Sequence, residues 1–309
     1  MRIACIDIGT NTCLLLIAEI KDDNTYQILQ ESVQIVRLGE GIHNHHSFLD
    51  TAMERCLATL NEYSNLIKKH NCKEVFVVGT AAFRHAKNAA DFVTKVAQQT
   101  GLNIEIISGE REAALIHLAS VTDFSSLKKP ILVLDIGGGS TEFILDDGEQ
   151  IHKKSLNFGS VKLTERFLPS DIASESEINT LQSFVQKEVH QLDFLKPYFT
   201  NSTKNLNLIA TAGTPTTISA LSLGLKEYDP TKVHKSILTI ETISSITDKL
   251  AQLPLAERSK LPCLPAKRAD IIVAGSIILH MITKALGLNK IHVSDRGLRY
   301  GVLYERLTN

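Results

Sequence analysis

Short runs of apolar, largely β-branched residues open the chain, and the period then changes to that of a helix. Arg2–Ile8, Cys13–Ile20 and Tyr26–Leu38 read as three strands joined by polar turns, Lys21-Asp22-Asp23-Asn24 among them. From Leu49 to His70 the apolar positions Met53, Leu57, Leu60, Tyr63 and Ile67 recur with helical spacing. Glu74–Val78 reads as a buried strand and Ala86–Gln99 as a helix closed by Gly101. Asn103–Ile107 is a further strand, and Ser108 is placed to cap a helix from Gly109 to about Ser120. The predicted order is βββαβαβα.

The polar stretch from Thr122 to Lys129 ends in Pro130, and after it the pattern starts again. Strands are predicted at Ile131–Asp135, Thr141–Leu145 and Gln150–Leu156, then helices around Val161–Phe167 and Glu175–Phe194. A strand at Leu206–Ala210 leads to a helix after Gly213. Helices near Ile243–Leu250 and Ala269–Leu286, a strand at Lys290–Val293 and a closing helix, Gly297–Leu307, complete the half. Two domains are therefore expected, residues 1–122 and 123–309.

The repeat carries chemistry at its first turn. Leu134-Asp135-Ile136-Gly137-Gly138-Gly139-Ser140-Thr141-Glu142 puts a carboxylate and then three glycines at the end of a buried strand. Glycine lets a ligand approach bare amide groups, and successive N–H groups form an anion nest. An acid beside such a nest makes sense when a cation lies between carboxylate and phosphate, as Mg²⁺ does. A lone triple glycine is equally well a tight hairpin turn. The first half repeats the arrangement, however, in Asp7-Ile8-Gly9-Thr10-Asn11-Thr12, with Asp7 matching Asp135, Gly9 matching Gly137 and Thr12 matching Ser140.

Other candidates follow the same strand-end logic. Asp135 is the first magnesium anchor and Glu142 the second, although Glu142 is also readable as a solvent-facing strand residue. Thr10, Asn11 and Thr12 offer phosphate-binding donors. Thr211-Ala212-Gly213-Thr214 opens a helix whose N-terminus suits an anion; simple capping by Thr214 is the competing reading. In Ser108-Gly109-Glu110-Arg111-Glu112, acids in a first helical turn favour the dipole, yet Glu112 would also project from the same strand edge as Asp7. Arg84, after Gly79-Thr80-Ala81-Ala82-Phe83, lies on that edge, as a phosphate-binding guanidinium or an ordinary surface arginine. The tract His43-Asn44-His45-His46 lacks spaced partners and is set aside as a metal site.

Composition narrows the field. The 309 residues are 43% hydrophobic and 22% charged with net charge −1, which suits a globular protein with a real core. No block of like charge exists, which argues against nucleic acid and membrane as partners. No apolar run is long enough to span a bilayer and no secretory leader is recognised. Five cysteines without CxxC spacing read as reduced thiols, hence a cytoplasmic expectation. There is no GxSxG elbow to argue for covalent catalysis.

The duplicated βββαβα unit with an acidic β1–β2 turn resembles the α/β architecture of actin, the sugar kinases and the heat-shock ATPases: two ribonuclease H-like domains with an interdomain cleft. More specifically, Asp7–Thr12, Gly79–Arg84, Ser108–Ala113, Asp135–Glu142, Ala212-Gly213-Thr214, Arg268–Gly275 and Ser294–Arg299 resemble, in order and across nearly the whole chain, the exopolyphosphatase and guanosine-pentaphosphate phosphohydrolase (Ppx/GppA) family. That resemblance implies release of terminal orthophosphate from inorganic polyphosphate or guanosine pentaphosphate. It implies Glu112 as general base with Arg84 beside the chemistry, and Asp135, Glu142 and Asp7 at the metal. Gly9, Thr10, Asn11, Thr12, Gly137, Gly138, Gly139, Ser140, Thr141, Gly213, Thr214 and Arg268 would hold phosphate oxygens. The implied cofactor is Mg²⁺, or Mn²⁺ in its place, with a monovalent-ion requirement left open. A homodimer is compatible with the sequence but specified by no residue.

Glu112, set among carboxylates and phosphates, is expected to have its pKa raised. The chain departs from the family pattern at Cys13-Leu14-Leu15, where many members carry a cation, and at Arg111, which is expected to compensate within Ser108–Ala113. It also ends at Asn309, where longer members continue into a helical domain, so a less processive enzyme is expected. The competing functions are a kinase or ATPase of the same superfamily and a non-catalytic sensor of guanosine tetraphosphate or polyphosphate.

Overall fold

The computed structural model describes residues 1–199 and 205–308; the side chains of residues 43 and 44, in the histidine tract set aside above, lie outside what is described. The first sheet is built from β1 (Arg2–Ile8), β2 (Thr12–Ile20), β3 (Tyr26–Ile35), β4 (Glu74–Gly79) and β5 (Ile104–Ile106). Its order is β3-β2-β1-β4-β5, antiparallel on the β2 side of β1 and parallel on the β4 side. Around it lie α1 (Ile42–His45), α2 (Asp50–Lys69), α3 (Ala81–His85), α4 (Ala89–Thr100) and α5 (Gly109–Asp123).

The second sheet comprises β6 (Ile131–Ile136), β7 (Thr141–Asp146), β8 (Ile151–Leu156), β9 (Asn207–Thr211), β10 (Ile237–Thr239) and β11 (Lys290–Val293). Read as β8-β7-β6-β9-β11, it repeats the order and directions of the first, with β10 added antiparallel at the far edge. The expected duplication is thus present at the level of strand pairing. Its helices are α6 (Ser160–Phe167), α7 (Glu175–His190), α8 (Gly213–Ser222), α9 (Pro230–Val233), α10 (Ile240–Gln252), α11 (Leu255–Arg258) and α12 (Ile272–Ala285), and the chain closes with α13 (Leu298–Thr308).

Each sheet has its own core. Ala4, Ile6 and Ile8 of β1 and Cys13, Leu15 and Ile17 of β2 pack against Cys56, Leu60 and Tyr63 of α2 and Phe92 and Val96 of α4. In the second sheet Leu132, Leu134, Phe143, Leu145, Leu208 and Ile291 pack with α12 and with Leu181 and Val185 of α7. Every residue of α12 from Ile272 to Leu279 is buried, as an apolar helix with no polar stripe must be. No described helix is long and apolar enough to cross a membrane.

The units do not divide the chain as the sequence suggested. Residues 1–119 together with the segment from Gly297 form one compact unit, and Ser120–Arg296 form the other, against the single expected cut at 122/123. The reason is the last helix. Gly301 of α13 lies so close to Leu115 that a Cβ there would sit 2.0 Å from the Leu115 carbonyl oxygen. Arg299 pairs with Glu31 at 2.8 Å and Arg306 with Glu74 through two bonds of 2.7 and 2.9 Å. Arg111 is paired through both guanidinium nitrogens with Glu305 of α13, so it is not the phosphate-facing compensation expected of it.

Three local expectations also shift. The strand read as Tyr26–Leu38 stops at Ile35, because the amides of Val36 and Arg37 both bond the Asn11 carbonyl at 3.0 Å instead of continuing the ladder. The helix read from Ala86 begins at Ala89, preceded by the separate short α3. The helix read to Phe194 ends at His190, with a 3₁₀ turn following over Asp193–Tyr198.

Candidate active site

In both units the candidate residues gather at the carboxyl ends of the parallel strands, beside the strand where the sheet changes direction. That is where open α/β sheets leave a crevice for ligands. In the first unit, Ile8 of β1 pairs with Gly79 of β4, and Gly79 with Ile106 of β5. Asp7, half-buried, is the penultimate residue of β1, and Gly9 closes a tight turn by donating to the Thr12 carbonyl at 2.9 Å. The Thr80 amide and hydroxyl both bond the Ile8 carbonyl, tying the β4–α3 junction to this turn.

The turn is braced from behind. Gly39 donates to the Thr10 carbonyl at 2.8 Å, while Val36 and Arg37 take the Asn11 carbonyl. A Cβ at Gly39 would lie 2.3 Å from the Thr10 methyl, so only glycine allows this approach. In a trans peptide the C=O and N–H point opposite ways. Holding the Thr10 carbonyl toward Gly39 therefore aims the Asn11 amide away from the brace, into an anion nest. Arg55 of α2 fixes the brace in turn, through the Val36 carbonyl at 3.0 Å and the Glu40 carboxylate at 2.6 Å.

Glu112 lies one turn into α5, whose N-terminus is capped by the Ser108 hydroxyl accepting from the Arg111 amide at 3.1 Å. Glu112 is buried, with 7% of its surface exposed, and its carboxylate accepts from Arg84 Nη1 at 2.8 Å. Arg84 also donates to the Ile107 carbonyl at 3.0 Å. Arg84 therefore holds the carboxylate at the strand ends, and is not the surface arginine that was the competing reading. Burial pushes the Glu112 carboxyl above its ordinary value, and the Arg84 charge and hydrogen bond partly offset that rise. The raised value was anticipated, but its cause is desolvation within this unit.

The second unit repeats the device with a helix as the brace. Gly137 closes its turn onto the Ser140 carbonyl at 3.0 Å. The Gly137 and Gly138 carbonyls accept from the amides of Ser160, Val161 and Lys162 at the start of α6. Gly159 makes this possible: a Cβ there would stand 2.5 Å from the Gly137 oxygen. The N–H groups of Gly138 and Gly139 consequently point away from α6, and neither is hydrogen-bonded among the described residues. Ser140 is buried beside them, whereas the Thr141 hydroxyl is fully buried and donates to the Phe158 carbonyl at 2.8 Å, serving the turn and not its mouth.

Asp135 and Glu142 stand directly opposite each other on β6 and β7, so their side chains share a face. Glu142 is 1% exposed and accepts from the Ser155 hydroxyl at 2.8 Å, which rules out a solvent-facing role. On the other side, Asp135 pairs with Thr211 of β9, whose buried hydroxyl has no hydrogen-bond partner among the described residues. Two neighbouring carboxylates and an orphaned hydroxyl fit a small hard cation that draws its remaining ligands from water and phosphate. Among the described residues no cluster of three or more His, Cys, Asp or Glu forms a complete protein cage.

Beyond Thr211 the backbone is strained. Ala212 has φ 75° and ψ −174°, a region almost reserved for glycine, which costs about 1–3 kcal/mol and concentrates at functional sites. It turns the chain into α8 at Gly213, with no side-chain cap, so Thr214 does not cap the helix. Arg268 lies against this N-terminus: a Cβ at Gly213 would meet its Cζ at 2.5 Å, and Nη1 donates to the Gly213 carbonyl and the Thr217 hydroxyl at 3.2 and 3.1 Å. Gly275 of α12 receives the Thr214 side chain in the same way, with 2.3 Å between a built Cβ and the hydroxyl. Sequence reading passed over Thr80, Gly39 and Gly159. Only the glycines left a trace, in Leu38-Gly39-Glu40-Gly41 and Phe158-Gly159-Ser160.

Comparison with known proteins gives the family. The chain is 35% identical, over 99% of its length, to the bifunctional 3-dehydroquinate synthase/phosphatase of Fusobacterium nucleatum, of which it spans 46%. It is 30% identical to exopolyphosphatase 2 of Mycobacterium tuberculosis over 97% of each chain. The crystal structure of the Aquifex aeolicus member of the Ppx/GppA protein family matches with a TM-score of 0.82 and 33% identity, covering 100% of this chain and 98% of that one. The family profile described as Ppx/GppA phosphatase matches residues 16–309, and the chain is a member of the Ppx/GppA phosphatase family.

Proposed function

We propose that this protein is a phosphoanhydride hydrolase that releases terminal orthophosphate from inorganic polyphosphate, with guanosine pentaphosphate as the alternative substrate. The observation that carries the proposal is the buried Glu112 carboxylate, held by Arg84 at strand ends shared with the Asp7–Thr12 turn. A site that only bound polyanions would gain nothing from a carboxylate there. The exopolyphosphatase relative from M. tuberculosis, matched over 97% of both chains, supports polyphosphate as the first choice.

Each unit, read as one actin-like ATPase-type domain, offers its own groups for the proposed reaction. The amides of Gly138 and Gly139 and the α8 N-terminus with Arg268 receive phosphate oxygens in the second unit; Asn11 and Thr10 offer the same in the first. Glu112 accepts the proton of a water as its oxygen bonds to the terminal phosphorus and the bridging P–O bond breaks, leaving the electron pair on the shortened chain. Asp135 and Glu142 would hold Mg²⁺, or Mn²⁺ in its place, and Asp7 supplies a carboxylate at the other turn. When bound, the cation supplies neutralisation of charge on the phosphate oxygens.

The test is a ³¹P NMR time course on polyphosphate with Mg²⁺. Orthophosphate should grow from the first points while long chains shorten from their ends. Mid-length fragments without orthophosphate would contradict terminal attack.

A further inference from the structure

Arg268 presents an electrostatic problem in the second unit. Its guanidinium is pressed onto the first residue of α8, the positive end of a ten-residue helix. Cation and dipole therefore repel each other whenever no anion is bound. Burial adds to the difficulty and holds the Arg268 pKa below its ordinary value.

The residues that answer this charge come from two other segments. Asp295 follows β11, and the neighbouring Ser294 amide bonds the Ala210 carbonyl of β9 at 2.8 Å, which fixes Asp295 beside the β9–α8 junction. Tyr228, in the α8–α9 connection, donates its hydroxyl to the Asp295 carboxylate and lies beside Thr216 of the first turn of α8. Thr216 donates to the carbonyl of the strained Ala212 at 2.9 Å. The Asp295 carboxylate favours the Arg268 cation, and Tyr228, kept neutral by its burial, acts through the hydrogen bond it donates to Asp295. Thr216, Tyr228 and Asp295 thus cluster at the strained turn, where Arg268 is itself bonded to the Gly213 carbonyl and the Thr217 hydroxyl.

We propose that Tyr228 and Asp295 are positioning residues: they hold Arg268 against the α8 N-terminus in the empty enzyme, so that phosphate meets a guanidinium already in place. This rests on the reading of Arg268 as a phosphate-binding group. The resident carboxylate offsets the repulsion until the substrate's own charge does so. The tyrosine hydroxyl keeps that carboxylate from swinging toward the incoming anion.

Two substitutions separate positioning from plain charge. Tyr228→Phe removes one hydroxyl and keeps every charge; the residue is 42% exposed, so folding should survive. The expected result is a rise of about tenfold in KM for polyphosphate, the worth of a hydrogen bond to a charged group, with kcat within about twofold. Asp295→Asn should weaken binding similarly, and the double variant should be no worse than the weaker single one, because both act through Arg268. If the carboxylate were only an unwanted negative charge, Asp295→Asn would instead lower KM, and that outcome overturns the proposal.

Calorimetric titration of polyphosphate into the Glu112→Gln protein, with and without Tyr228→Phe, isolates binding from turnover. Binding by Glu112→Gln that Tyr228→Phe leaves unchanged overturns the positioning role alone. No binding by Glu112→Gln itself overturns the functional reading and the positioning role together.

Discussion

Replacing Glu112 by Gln is expected to lower the rate of phosphate release roughly 100-fold or more while leaving the fold intact, since general-base catalysis contributes about 10²–10⁴. Gln keeps the shape of the side chain and an acceptor oxygen for Arg84, which now bonds the carboxylate at 2.8 Å. What disappears is the capacity to take a proton. The effect on stability has a definite sign. Burial raises the folded pKa of Glu112. Its contribution to stability is therefore complete below the unfolded carboxyl pKa of about 4.5 and is lost as pH rises through the folded value. Above that folded value the charged buried carboxylate costs the native state, and Gln has no such charge. The melting temperature of the variant should match or exceed that of the parent at pH 8, by calorimetry, while its turnover collapses. A variant that melts normally and still releases phosphate at the parental rate removes Glu112 from the role of base.

Replacing Arg84 by Gln should move the acid limb of the pH–rate profile upward, since a neighbouring cation favours the ionised carboxylate. Two opposed influences set the Glu112 pKa: desolvation raises it, and the Arg84 charge and hydrogen bond lower it. Removing the guanidinium leaves desolvation unopposed. A base must be unprotonated to act, so kcat/KM falls below its pKa, and that limb reports the free enzyme. The variant should lose far more activity at pH 6 than at pH 9, with recovery as pH rises. If Arg84 serves the substrate alone, KM rises and the limb stays where it was. A limb displaced to lower pH would contradict the opposed influences outright.

What the sequence made legible was local. The two acid–Gly turns sit between consecutive strands, so strand period and glycine spacing report them directly; both are the tight turns of antiparallel hairpins, β1 with β2 and β6 with β7. The sheet order followed because both halves repeat the same run of elements. What stayed hidden depends on contacts between distant segments. Arg84 and Glu112 are 28 residues apart, and nothing in either segment names the other. Val36 and Leu38 continue the alternation of β3, so the pattern extends the strand; the Asn11 carbonyl decides otherwise by taking the Val36 and Arg37 amides. The return of α13 to the first unit rests on Glu31, Glu74 and the close approach of Leu115 to Gly301, all remote in sequence. Ala212 carries no trace of its backbone strain, because alanine is ordinary everywhere except at φ 75°.

The two turns also show why their glycines are of different kinds. Gly138 and Gly139 carry amides that are not hydrogen-bonded among the described residues, and the run of glycines marks the turn in the sequence. Gly39 and Gly159 lie on the braces and serve by having no Cβ, which lets a second segment turn the carbonyls of the nest the other way. A single methyl at Gly159 would displace the very peptides that aim the amides.

The central claim is that these residues act on the phosphoanhydride of a polyphosphate and not on a nucleoside triphosphate used as a donor. The most direct measurement offers polyphosphate, guanosine pentaphosphate and ATP in parallel to the same preparation, with Mg²⁺ and with chelator, and follows released orthophosphate. Mg²⁺-dependent release from polyphosphate or guanosine pentaphosphate is expected, with ATP left largely intact. Release from ATP alone, or tight binding of the polyanions with no release from any substrate, would contradict it.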